Sequence, residues 1–120
     1  MHVMVSPKLD RPPINEVVCG FGFGEVPREV IAFLSREPQV VDTLRDAGTR
    51  LQRLFPAANG ALMQIALYRE EDSHLEELLV SVPTNTSVDQ AMDRLATFDS
   101  WWLEQPRAIR RLVTFDIEYV

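Results

Sequence analysis

Apolar residues recur along this chain with two different periods, and each change of period marks an element. The clearest case is residues 75–104. Leu78, Val80 and Val82 alternate with Glu77, Leu79 and Ser81, a period of two that predicts a strand with one apolar face. Pro83 ends it, because proline lacks the N–H that a strand ladder needs. Ser87 and Gln90 fit a capping box, with Asp89 in the first helical turn. Val88, Ala91, Met92, Leu95, Phe98 and Trp102 then recur at spacings of three and four, the stripe of an amphipathic helix. Trp101 falls at the edge of that stripe. Asp99 lies on it, between Phe98 and Trp102, and Pro106 closes the segment.

The same reading extends in both directions. Residues 14–23 alternate, with Val17, Cys19, Phe21 and Phe23 on one parity and Glu16, Val18, Gly20 and Gly22 on the other. Pro27 suits the first turn of a helix with Val30, Ile31, Phe33 and Leu34 as its apolar patch. Pro38 is expected to interrupt that helix, and Val41, Leu44, Gly48, Leu51 and Phe55 mark its continuation. Residues 61–70 form a second strand, with Met63, Ile65 and Leu67 on one face. Residues 112–120 form the last, with Val113, Phe115, Ile117 and Tyr119 on one face.

This order is βαββαβ, the order of the ferredoxin-like split βαβ architecture. It predicts an α+β domain with a four-stranded antiparallel sheet, the first and third strands central and the helices on one face. Residues 1–13, with Pro7, Pro12 and Pro13, read as an extended arm, and 14–120 as a single domain. Such a sheet leaves one face open. That face is expected to carry Val18, Ala66, Tyr68 and Leu79, with Glu16, Glu77, Asp116 and Glu118 among them. Its small and apolar residues suit a second sheet, so a homodimer is the leading expectation; a solvated face is the plainer alternative.

Composition narrows the classes. A formal charge of −6 disfavours a nucleic-acid backbone binder, which needs clustered Lys and Arg. A single cysteine, Cys19, excludes an intramolecular disulfide and a multi-cysteine metal site. No run approaches the length of a signal peptide or membrane span, so no membrane partner and a cytoplasmic location are the default expectations.

Candidate chemistry is sparse. The run Gly20-Phe21-Gly22-Phe23-Gly24 sits between a strand and a helix, but Glu25 occupies a place where a phosphate loop tolerates no acid. Close packing is the better explanation for these glycines. Glu16, Glu77, Asp116 and Glu118 offer hard oxygen ligands but match no metal-loop spacing, so no metal and no cofactor are assigned. His74 lies in an acidic loop with no partner in sequence to make it a base. A carboxylate on an apolar stripe must be paired or hydrogen-bonded, and Arg107, Arg110 and Arg111 are its nearest partners in sequence. Asp99, Trp101 and Trp102, with Arg107 and Arg110, are therefore the candidate ligand-binding or interface residues.

No catalytic constellation emerges. The expectation is a small accessory or interaction protein, homodimeric and non-enzymatic. A small-molecule-binding regulatory domain is the second reading. A cofactor-independent enzyme of the dimeric α+β-barrel type is the third, with only Cys19, Tyr119 and Asp99 to offer.

Overall fold

The computed structural model describes residues 22–56 and 62–120. The extended arm expected over residues 1–13, and most of the expected first strand with Glu16, Val18 and Cys19, lie outside them. Helix α1 (Arg28–Arg36) follows Pro27 and buries Val30, Phe33 and Leu34. The chain turns at Glu37, and α2 (Pro38–Leu54) begins with Pro38. The first helical position has no intrahelical use for an N–H, so this proline starts a new helix rather than kinking one. Helix α2 buries Val40, Leu44, Ala47, Gly48 and Leu51.

Strands β1 (Gln64–Arg69) and β2 (Glu76–Thr84) form an antiparallel hairpin in which Ala66 faces Leu79 and Tyr68 faces Glu77. Helix α3 (Val88–Trp102) and the single turn α4 (Arg107–Arg110) return the chain to β3 (Val113–Tyr119). Ser87 caps α3 by accepting the Gln90 N–H at 3.2 Å.

The expected four-stranded antiparallel, ferredoxin-like sheet is not what forms. The described sheet has three strands in the order β1-β2-β3, and it is mixed. β3 runs parallel to β2, with Val80 opposite Phe115. The helical return carries the chain back along the sheet, so β3 starts from the same end as β2 and zips directly onto its free edge. Both edges of β2 are then occupied, and no slot remains for a first strand beside it. The N-terminal side approaches the sheet elsewhere. Phe23 bridges Met63 in parallel, beyond the start of β1. Met63 N–H donates to Gly22 O at 3.1 Å, and Gly24 N–H donates to Met63 O at 2.8 Å.

The helices cover one face of the sheet. Ile65, Leu78, Val80, Val82 and Val113 point toward them and are buried. Each such side chain contributes roughly 1.5–3 kcal/mol relative to exposure. Helix α3 is rotated from the stripe its sequence suggests. Ala91 and Phe98 are buried, Leu95, Trp101 and Trp102 are half-buried, and Val88 and Met92 are exposed. The cause is that α3 packs on α2 as well as on the sheet. Arg94 reaches across and donates from Nη1 to Leu54 O at 3.2 Å, satisfying a carbonyl at the C-terminus of α2.

Candidate functional site

The end of α3 is an aromatic brace. Phe98 lies 4.9 Å from Phe115 edge-on, 5.6 Å from Trp101 and 6.4 Å from Trp102. Trp102 also meets Phe115 edge-on at 4.9 Å. Offset and edge-to-face rings at these distances attract beyond their buried area. The Arg50 guanidinium sits 4.5 Å from the Trp101 ring centre, a cation–π contact that ties α2 to α3. Asp99 is exposed, and among the described residues no ion pair joins it to Arg107, Arg110 or Arg111. Arg107 is exposed, and Arg110 donates from Nε to Gln105 O at 2.9 Å. The structure thus brings the two tryptophans together around Phe98, while Asp99 and the two arginines point to other surroundings.

Among the described residues no element covers the sheet face away from the helices. Ala66 and Tyr68 on β1 are exposed, Tyr68 by 51%, and Leu79 between them and β3 is half-buried. Beside this apolar centre stand Glu77, Asp116 and Glu118. Thr114 Oγ1 donates to Glu77 at 3.3 Å. Val18, the fourth residue expected here, lies outside the described residues.

The open face runs, at the hairpin end, into a cleft of about 490 Å³. The break between α1 and α2 contributes Glu37 and Gln39; the hairpin contributes Tyr68, Glu70, Leu75, Glu76 and Glu77; Ala108, Arg111 and Leu112 close the far side. Glu76 is held between two arginines. Arg36 Nη2 donates to its Oε1 at 2.8 Å and Arg69 Nε to its Oε2 at 3.1 Å. The Arg69 hydrogen bond is the largest influence on the Glu76 carboxyl and outweighs the opposing desolvation; the charges of Arg69 and Arg36 and the Arg36 hydrogen bond add to it, so the carboxyl is held below its ordinary value. A base for catalysis near neutral pH needs the opposite shift. Glu76 therefore works as a clasp between α1 and the hairpin. Among the described residues no group of three or more His, Cys, Asp and Glu side chains is placed to hold a metal ion.

Sequence periodicity missed this cleft because it is built from element ends. Its signals were present but non-periodic: the carboxylates of residues 70–77 and the proline that breaks the first helical run. No helix among the described residues is long and apolar enough to cross a membrane. Comparison of the chain with protein-family models, with curated proteins and with solved structures finds no match in any of the three.

Proposed function

We propose that this protein is a non-enzymatic interaction module that engages its partner through the open face of its sheet. The observation that carries this reading is the exposure of Tyr68 and Ala66 beside Leu79, at the centre of a face that no helix among the described residues covers. Tyrosine supplies large contact area at low entropic cost and is enriched in interfaces. Glu76, whose carboxyl is held below its ordinary value, is locked in a two-arginine clasp that suits a structural role. The α+β-barrel enzyme reading has lost the antiparallel sheet on which it rested.

Self-association through the apolar centre of the face is one form of this reading. Small-molecule binding is the second reading, favoured by the cleft, whose volume falls in the range of ligand sites. The cleft is lined by carboxylates rather than by the apolar walls such sites prefer.

The test is the variant Leu79→Asp, with the protein's size measured in a gentle extract of cells that make it. The wild-type chain is expected to run larger than its 13.7 kDa mass, and Leu79→Asp to run as the isolated chain while melting normally. A wild-type protein that runs alone, or a variant that stays in the complex, contradicts the reading.

A further inference from the structure

We infer that the occupant of the open sheet face is a basic protein segment, rich in arginine or lysine, rather than a second copy of this chain. The inference rests on the reading that this face docks a partner, and it names that partner's chemistry. Among the described residues the carboxylates and cations of the face can be placed. Glu77, Asp116 and Glu118 are there, and among the described residues no lysine or arginine shares the face with them. The cleft continues the same sign through Glu37 and Glu70, with Arg111 at its far wall. Arg36 and Arg69 both pair with Glu76 on the helix side of the sheet, so the one positive charge left over from that cluster stands there and not on the open face.

A second copy laid on this face would set carboxylates against carboxylates, with no cation between them among the described residues of the face. Like charges brought together across an interface cost several kcal/mol and suppress that pairing. A basic segment meets the same groups with opposite charge. Its aliphatic stems lie over Ala66, Tyr68 and Leu79, since Lys and Arg cover apolar surface with their methylenes while the heads reach the rim. Tyr68 is placed for a guanidinium to stack on its exposed ring. The apolar centre and the acidic rim thus ask for one kind of side chain.

The test uses the full chain, labelled for amide NMR, and three synthetic probes of equal length: an arginine–valine peptide, its glutamine–valine counterpart and its glutamate–valine counterpart. The arginine peptide is expected to shift the amides of β1, β2 and β3 on this face, and to bind at least about tenfold more tightly than the glutamine peptide at low salt. Its binding is expected to weaken as salt rises, because these charges are exposed. Glu77→Lys/Glu118→Lys is expected to lose that preference. Glu118→Lys alone, at an exposed strand-end position, is expected to lose part of it and guards against a folding defect in the double variant. Asp89→Lys/Asp93→Lys makes the same change of net charge on α3 and is expected to change little. Equal binding of the glutamine peptide at this face would overturn the basic chemistry and leave the docking surface standing. Shifts elsewhere with none on the face, or a face already covered by a second copy at the working concentration, would overturn the inference.

Discussion

The side-chain carboxylate of Asp116 accepts the backbone N–H of Ile117 at 3.0 Å. That N–H belongs to the outer edge of the sheet. Leu78 N–H donates to Leu112 O at 2.7 Å and Val120 N–H to Thr84 O at 2.9 Å. In a parallel pair, alternate residues turn both backbone groups to one neighbour. Val113, Phe115, Ile117 and Tyr119 therefore present theirs away from β2, where the described residues supply no further strand. An open edge invites pairing with another chain, and an inward-turned charge on the edge is one way to blunt it.

Asp116→Ala is accordingly expected to increase self-association by releasing the edge N–H of Ile117 and removing a charge. Asp116→Asn keeps the accepting oxygen and is expected to behave more like the wild type. Sedimentation at matched concentrations checks both. An Asp116→Ala variant no more associated than the wild type would show that the contact does not guard the edge.

The aromatic brace should carry stability rather than binding. Phe98 is 1% exposed and touches Trp101, Trp102 and Phe115, so Phe98→Ala is expected to cost about 3–5 kcal/mol. Asp99→Asn, one residue on, is exposed and is expected to change stability by less than about 0.5 kcal/mol. Chemical denaturation of the two variants separates these values. A large loss in Asp99→Asn would mean that the carboxylate has a structural partner.

Gly22 makes a narrower prediction. Its φ is +92°, and a Cβ there would lie 2.2 Å from the Gln52 Nε2 atom. The side chain of Gln52 is flexible and can yield, but the backbone conformation remains strained for any L residue. Gly22→Ala is expected to cost about 1–2 kcal/mol. Pairing it with Gln52→Ala in a denaturation series is expected to recover only the steric share. Full recovery would show that the backbone angle is unimportant.

Glu76 predicts a pH dependence. Its carboxyl is held below its ordinary value in the folded protein, so it is more acidic folded than unfolded. The stability it adds is fully present above the unfolded value of about 4.3 and is lost as the pH falls through the lower folded value. The melting temperatures of wild type and Glu76→Gln are therefore expected to differ most near neutral pH and to converge on acidification. A gap that persists in strong acid would assign the effect to packing instead.

The three described strands and the long helices were legible from the chain because burial imposes period two on a strand and a period near 3.6 on a helix. The inward set Ile65, Leu78, Val80, Val82 and Val113 follows from parity alone. Neighbour choice was not legible in the same way. Phe115 and Val80 have the same inward parity whether β3 lies beside β2 or across the sheet from it, so the alternation is silent about a parallel β2–β3 pair. The rotation of α3 was hidden for a related reason. Val88 and Met92 fit the stripe by spacing, but the contact with α2 and the Arg94–Leu54 bond turn Trp101 inward in their place. Asp99 then leaves the apolar side, and the puzzle it posed in the sequence disappears. The acidic cleft belongs to neither period, because Glu37, Glu70 and Glu76 are neighbours only after the chain has folded.

The docking role of the open face is tested most directly by photo-cross-linking in cells that make the protein. A photoreactive phenylalanine analogue replaces Tyr68 in one variant and Met92, exposed on the outer side of α3, in another. A discrete adduct from position 68 and none from position 92 is the predicted result. Adducts of equal yield from both positions, or from position 92 alone, would contradict it.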